Sequence, residues 1–160
     1  MACRAFPTDK GFRIVGFNVG DGMMVAWHPQ IKTAYQLFSA NATEARTAFL
    51  PDAYRPFEIQ MIDILLPKGS LLFLLSDGIH DRLAFREEEK NYPNELHYRI
   101  RSLTKLESIL GDIPAQSPID AYMNAIIQTC MTAAEKERKK NHLKNIQMGD
   151  DLSILQCYLK

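Results

Sequence analysis

The sequence lacks a long hydrophobic run, a cluster of cysteines and an excess of charge of either sign. No stretch approaches the ~18 apolar residues needed to span a bilayer, and the first ten residues lack the apolar core of a signal peptide. Nineteen basic and nineteen acidic residues cancel, which removes any general electrostatic basis for binding nucleic acid or an anionic membrane. We therefore expect a soluble protein with neither nucleic acid nor membrane as its partner.

The three cysteines are an odd number and do not have the spacing of metal ligands. Cys3, Cys130 and Cys157 each have mostly apolar neighbours in the sequence, which is typical of buried thiols. This pattern favours a reducing compartment over a secreted location. We expect a cytoplasmic protein, and export as an effector stays open.

Turn residues divide the first part of the chain into short apolar segments. The turns at 7–11 and 20–22 predict a three-strand meander over residues 2–28. The apolar face of the next segment changes sides between Met61 and Ile62, which predicts a bulge or a twist. A turn at 67–69 then predicts a hairpin over residues 57–76. A length of 160 residues, 46% of them hydrophobic, suits one globular domain.

The five residues Leu71 to Leu75 are all apolar and leave no polar face. A strand of this kind is expected to be covered on both sides. Any chemistry must then lie at the end of the strand, where Ser76, Asp77 and Gly78 follow. The simpler interpretation of these three residues alone is an ordinary turn, because Asp and Gly are common turn residues.

Two helices are predicted in the second half of the chain. Apolar residues recur at helical spacing over 96–110, and Gly111 is a plausible C-cap. The second helix is predicted to have Ser117 as its N-cap and Pro118 at its first position. Its apolar stripe indicates core packing rather than a cofactor site.

The last segment, 152–159, is apolar enough to be a central strand. Because it follows the two helices, we expect the helices to be inserted between two strands of one sheet. The predicted fold class is α+β with mostly antiparallel sheets.

Three turns place carboxylates beside apolar strands, at residues 20–22, 76–81 and 149–151. Two carboxylates about 4 Å apart would repel each other by about 4 kcal/mol at an effective dielectric constant of about 20. If the turns converge, they therefore require a cation or a proton. Oxygen ligands favour magnesium, manganese or calcium over zinc.

In order, strand context and spacing, these motifs resemble the metal-dependent protein phosphatases, the type 2C serine/threonine family and its bacterial relatives. The resemblance covers roughly residues 2–159 and depends on three segments, 18–22, 74–81 and 149–155. It implies a phosphatase-type β-sandwich with the two helices before the last strand. It also implies hydrolysis of phosphoserine or phosphothreonine in proteins by water activated on Mg²⁺ or Mn²⁺ ions.

The resemblance also implies a set of metal ligands and no catalytic residue beyond them. Asp77 matches the aspartate that binds the paired metal ions, and Asp150 matches the last aspartate of that cluster. Asp21 and Asp81 fall where the family can hold a further, weaker metal ion. Asp151 occupies a position at which the family often has asparagine, and it is assigned no role.

The sequence departs from the family in three places. Gly22 and Met23 replace the serine and arginine that usually follow the first aspartate, and His80 replaces a bulky aromatic residue. The larger departure is the absence of the family's N-terminal half, with its aspartate-glycine-histidine-glycine motif, its earlier acidic pair and its phosphate-binding arginine. Residues 1–160 are thus expected to form one domain that corresponds to the C-terminal portion of the phosphatase.

An N-terminal half, a second chain or a symmetry mate is expected to complete the sheet, because soluble proteins cover exposed edges and apolar faces. Three functional hypotheses stay open. The chain is part of a metal-dependent phosphoprotein phosphatase, or a non-catalytic phosphatase-like module that binds or regulates a protein, or a structural protein whose acidic turns are only turns.

Overall fold

The computed structural model describes residues 1–19, 22–38, 42–43, 46–47, 59–76, 78–79, 83, 85–86, 101–140 and 152–160. In chain order, its strands and helices are β1 (Ala2–Thr8), β2 (Gly11–Asn18), β3 (Met23–His28), β4 (Thr33–Phe38), β5 (Ala42–Thr43), β6 (Arg46–Thr47), β7 (Gln60–Leu66), β8 (Leu71–Leu75), β9 (Phe85–Arg86), β10 (Arg101–Ser102), α1 (Thr104–Gly111), α2 (Ile119–Lys140) and β11 (Ile154–Tyr158).

Two antiparallel sheets pack face to face. The three-stranded sheet has the order β1-β2-β7, and the four-stranded sheet has the order β11-β8-β3-β4. Apolar side chains from both sheets form the inner core between them: Ile14, Met24, Ala26, Phe38, Leu66, Leu72 and Leu159. The predicted α+β fold with mostly antiparallel sheets is confirmed.

β3 and β8 are the central strands of the four-stranded sheet. All six residues of β3 are buried, and so are four of the five residues of β8. One face of these strands contributes to the inner core, while the other face packs against the helices. The prediction that Leu71–Leu75 is a strand covered on both sides is confirmed.

The two helices cover the outer face of the four-stranded sheet. α2 buries every fourth residue against it, at Tyr122, Ile126, Cys130 and Ala134. The side chain of Glu107 in α1 accepts a hydrogen bond of 2.9 Å from the backbone N–H of Ala34 in β4. Among the described residues, no helix is long and apolar enough to cross a membrane.

The first helix is shorter than predicted. It begins at Thr104, two residues of β10 precede it, and residues 87–100 lie outside the described part of the chain. Gly111 is its last residue, and Asp112 occupies the C-cap position instead. The second helix begins at Ile119, directly after the predicted Pro118.

The predicted meander over residues 2–28 is wrong. β1 and β2 do form an antiparallel hairpin, but β3 lies in the opposite sheet, between β8 and β4. The physical reason is that β2 and β3 differ in how far they are buried. β2 has exposed residues, Arg13 and Phe17, which suits a sheet with one uncovered face, whereas the wholly buried β3 needs a central position.

The predicted hairpin over residues 57–76 is also wrong, because β7 pairs with β2 and not with β8. The register of β7 against β2 is regular from Gln60 to Leu66, so the predicted bulge is absent from this strand. Ile62 and Ile64 pack against the inner core. Met61 lies on the opposite, outer face and is 79% exposed. The change of apolar face therefore reflects the two sides of one regular strand.

β11 follows the helices and lies in the same sheet as β8, as predicted. It pairs with β8, but it lies at the edge of the described sheet and not at its centre. Edge positions also explain why the prediction of three buried thiols is wrong for two of them. Cys130 is buried in α2, whereas Cys3 and Cys157 are exposed because they lie on the edge strands β1 and β11.

We expect Gly11→Ala to lower the free energy of unfolding by about 1–3 kcal/mol. Gly11 has a φ of +146°, and an added Cβ would collide with the backbone carbonyl oxygen of Leu66. Urea denaturation measures the effect. Gly111→Ala is the matched control, because the nearest atom to its Cβ would be Cη2 of Trp27 at 4.0 Å. Equal losses in the two variants would contradict this assignment.

Ile126→Ala should cost about 2–5 kcal/mol of stability, because the side chain is fully buried between α2 and the sheet. Met131→Ala, at an exposed position of the same helix, should change stability by less than about 0.5 kcal/mol. Thermal or urea unfolding followed by circular dichroism compares the two. A similar cost at both positions would show that α2 does not pack as described.

Candidate functional site

The three acidic turns are joined to strand ends that meet at one end of the four-stranded sheet. Met23 in β3 lies opposite Leu75 in β8, and Leu75 also lies opposite Ile154 in β11. The three residues form one row across the sheet. In the sequence, Met23 follows the first acidic turn, Leu75 precedes the second and Ile154 follows the third. The pairing of the strands thus brings the described ends of all three turns together.

Ser76 and Ser153 connect the second and third turns. The backbone N–H of Ser76 donates to the carbonyl oxygen of Ser153 at 3.0 Å. In return, the backbone N–H of Ser153 donates to Oγ of Ser76 at 2.9 Å. The two bonds extend the pairing of β8 with β11 by one residue. They fix the chain at the start of the second turn and just after the end of the third.

Asn18 connects the first turn to the same end of the sheet. It is almost fully buried, and its side-chain Nδ2 donates to the carbonyl oxygen of Gly22 at 3.1 Å. This bond joins the end of β2 to the start of β3, where the chain passes from one sheet to the other. A Cβ on Gly22 would lie 3.9 Å from the carbonyl oxygen of Leu75. The first turn therefore ends close to the end of β8.

Sequence reasoning did not assign positioning roles to Asn18, Ser76 and Ser153. Ser76 was recognisable as a hydroxyl beside the predicted ligand Asp77. Its partner was not recognisable, because the two serines are 77 residues apart and meet only through the register of β8 and β11.

The four predicted metal ligands, Asp21, Asp77, Asp81 and Asp150, lie outside the described residues, and so does Asp151. Within the described ranges, no group of three or more His, Cys, Asp or Glu residues could hold a metal ion. The metal cluster therefore stays a prediction. The structure gives the positions of Gly22, Ser76 and Leu152, which lie within two residues of Asp21, Asp77 and Asp150 in the chain.

The ion pair of Arg13 and Asp63 lies away from this end of the molecule. It joins β2 to β7 on the outer face of the three-stranded sheet, with N–O distances of 2.8 and 2.6 Å. The hydrogen bonds from the guanidinium lower the pKa of the Asp63 carboxyl. Both side chains are exposed, so the pair contributes to cross-strand pairing and not to the candidate site.

Comparison with known proteins gives a family and a fold. The model of the protein phosphatase 2C family matches residues 2–113, which is more than half of the chain. No curated protein sequence matches the chain. Several solved structures are similar to it across nearly its whole length.

A crystal structure of a bacterial serine phosphatase with a point mutation has a TM-score of 0.53, with 14% identity over 98% of this chain and 51% of that chain. The phosphatase domain of the cell fate determinant SpoIIE from Bacillus subtilis has a TM-score of 0.50, with 13% identity over 99% and 57%. The manganese-presoaked form of that domain has a TM-score of 0.50, with 14% identity over 99% and 55%.

The chain spans about half the length of these solved structures, and the low identities show a shared fold alone. The two packed sheets, the helices before β11 and the family match agree with the resemblance drawn from the three turns. The chain belongs to the protein phosphatase 2C family.

Proposed function

We propose that this chain is the C-terminal portion of a Mg²⁺- or Mn²⁺-dependent protein phosphatase for phosphoserine and phosphothreonine. Its part in that enzyme is to supply Asp77 and Asp150 to the site for the paired metal ions. The observation that supports this best is the row formed by Met23, Leu75 and Ile154, because each residue stands beside one of the three acidic turns.

Chain connectivity limits how far the two carboxylates can lie from each other. Asp77 is bonded to Ser76, and Asp150 precedes Ser153 by three residues, or at most about 11 Å of chain. Ser76 and Ser153 are themselves hydrogen-bonded to each other. Both aspartates are therefore tethered within reach of one site, as a cluster of metal ligands requires.

A divalent metal ion at this site would lower the pKa of a bound water and orient a phosphate for in-line attack. The residues of this chain hold the ligands in place for that chemistry. β8 is a rigid support because it is a buried central strand, and the bonds of Ser76 fix the point where Asp77 begins. We assign Asp21 and Asp81 to a further, weaker metal ion at the same end.

The remaining ligands and the phosphate-binding arginine of the family must come from outside residues 1–160. The solved structures that the chain resembles are about twice as long, which supports this requirement. We therefore propose a phosphoprotein as substrate, the missing N-terminal half as partner and the cytoplasm as location. The isolated chain is expected to hold a partial metal site without turnover.

A non-catalytic, regulatory module is the second candidate function. Gly22 and Met23 favour it, because the family usually has serine and arginine at these two positions. The two candidates differ in one measurable property, which is metal-dependent hydrolysis by the complete native assembly.

Asp77→Asn should abolish Mn²⁺-dependent hydrolysis of p-nitrophenyl phosphate and of a phosphopeptide by the complete native assembly, since the substitution removes one ligand charge. It should also weaken Mn²⁺ binding, measured by calorimetry, by at least about tenfold. Asp63→Asn is the control, because this exposed carboxylate is paired with Arg13 on the outer face. If the unsubstituted assembly does not hydrolyse either substrate with manganese present, the proposed activity is wrong.

Ser76→Ala should weaken Mn²⁺ binding by about 10–100-fold, because the hydroxyl that fixes the chain beside Asp77 is lost. The cost in folding stability should be only about 1 kcal/mol. Ser76→Thr keeps the hydroxyl and should restore most of the affinity. A purely structural role for Ser76 would instead give a stability loss with unchanged metal affinity, which calorimetry and urea denaturation together distinguish.

A further inference from the structure

β4 is an edge strand of the four-stranded sheet, because within the described residues it pairs with β3 alone. An edge strand presents a row of backbone N–H and C=O groups to which a further strand can pair. Proteins usually protect such a row with charged side chains, with proline or with a covering element. The outer side of β4 therefore needs protection of one of these kinds.

The sequence of β4 contains no protective residue of its own. Its six residues, Thr33–Phe38, include neither a charged residue nor a proline. The segment also contains threonine, tyrosine and phenylalanine, which favour strands, and short uncharged segments of this kind associate readily with copies of themselves. The edge strand β1 differs, because it contains Arg4 and Pro7. β4 therefore depends on another element of the chain for its protection.

Glu107 of α1 supplies that protection. Its carboxylate oxygen Oε1 accepts a hydrogen bond of 2.9 Å from the backbone N–H of Ala34. This N–H points away from β3, since it is bonded to a helix outside the sheet. Backbone groups alternate in direction along a strand and the register is regular here, so those of Gln36 point the same way. Glu107 thus occupies the start of the row that an added strand would use.

A second contact holds α1 in position beside β4. Nζ of Lys32 donates to the backbone carbonyl oxygen of Gly111, the last residue of α1, at 2.9 Å. A positive charge is favourable at this end of a helix. Lys32 makes the bond from a left-handed backbone conformation with a φ of +55°, which is uncommon for a residue other than glycine. Because Gly111 follows Glu107 by four residues, both contacts lie on the same side of α1.

Packing fixes the helix but not the side chain of Glu107. Leu106 and Leu110 are 2% and 0% exposed, and both belong to the core between the helices and the sheet. α1 should therefore stay on the sheet when Glu107 is replaced. A substitution at this one residue opens the edge of β4 without removing the helix.

We propose that the outer edge of β4 is a strand-pairing surface that the side chain of Glu107 keeps closed, and that its partner, once the surface is open, is β4 of a second copy of this chain. Antiparallel pairing about a two-fold axis would place β4 against itself with no like charges opposite each other. The two sheets would then become one continuous sheet. This edge lies opposite β11 and involves none of the proposed metal ligands, so the inference is independent of the proposed function.

Self-association is the first measurement. Glu107→Ala should lower the dissociation constant for self-association at least about tenfold relative to the unsubstituted chain, as measured by analytical ultracentrifugation. Glu107→Gln should not, because its side-chain carbonyl oxygen can still accept the hydrogen bond from Ala34. Glu135→Ala is the control for charge, since it removes a half-exposed carboxylate from α2. Equal dissociation constants for the folded Glu107→Ala and Glu135→Ala variants would overturn the proposal.

The place of pairing is the second measurement. A photoreactive residue at position 36 should cross-link to β4 of a second copy in Glu107→Ala, and the same residue at position 131, on the exposed side of α2, should not. Adding Gln36→Lys to Glu107→Ala should prevent association, because a charge on an edge strand opposes pairing. Mass spectrometry locates the cross-links. Cross-links to another part of the second copy would contradict the proposed surface.

Hydrogen exchange tests the closed state directly. In chains that carry Gln36→Lys and stay unassociated, the N–H of Ala34 should exchange at least about tenfold faster when Glu107→Ala is added, because its acceptor is lost. The N–H of Tyr35 faces β3 and is the internal control. Exchange read by mass spectrometry with fragmentation resolves the two amides. An unchanged rate at Ala34 would show that Glu107 does not close the edge.

Lys32→Gly opens the surface by a second route that leaves Glu107 in place. Glycine suits the φ of +55°, and the substitution removes only the bond to Gly111. We expect stronger self-association than in the unsubstituted chain, by a smaller factor than in Glu107→Ala. Circular dichroism checks that each variant is folded. If Glu107→Ala does not fold, the proposal depends on Lys32→Gly, and unchanged association of that folded variant would overturn it.

Discussion

The pairing of β3 with β8 is the constraint on which the rest of the structure depends. Both strands are buried on two faces, since one face contributes to the inner core and the other packs against the helices. A slip of one residue would exchange the two faces of a strand and mismatch both layers at once. This fixed register places Met23 beside Leu75, and the pairing of β11 adds Ile154 to the same row. The geometry of the candidate site is thus a consequence of core packing.

The sequence predicted the elements of the fold better than their pairing. Leu71–Leu75 and the helix after Pro118 were predictable because burial, capping and periodicity are properties of the segment itself. The meander over 2–28 and the hairpin over 57–76 were wrong because turn residues show where a strand ends but not which sheet the next strand joins. The missing signal was the contrast between β2, which contains the charged Arg13, and β3, whose first five residues are all apolar, since only the second kind of strand needs a central position.

The candidate site was also predictable only in part, since its place in the fold was predictable and its hydrogen bonds were not. The residues alone left it open whether the three acidic turns converge, and the family resemblance implied that they share one site. The strand ends at Met23, Leu75 and Ile154 do lie side by side. The bonds between Ser76 and Ser153 were not predictable, because they depend on a register that connects residues far apart in the chain. The carboxylates of Asp77 and Asp150 lie outside the described residues, so their arrangement stays a prediction.

β11 lies at an uncovered edge of the described sheet and is also the strand that follows the predicted ligand Asp150. Its sequence is apolar enough for a central strand, yet it lies at the edge of the described sheet with Leu155 facing inward and exposed. The same strand begins three residues after the turn that contains Asp150. In the proposed phosphatase, the chain that leads from Asp150 into β11 therefore enters a strand that, among the described residues, is paired on one side only. Residues from outside 1–160 that complete the metal site have access to it from that side.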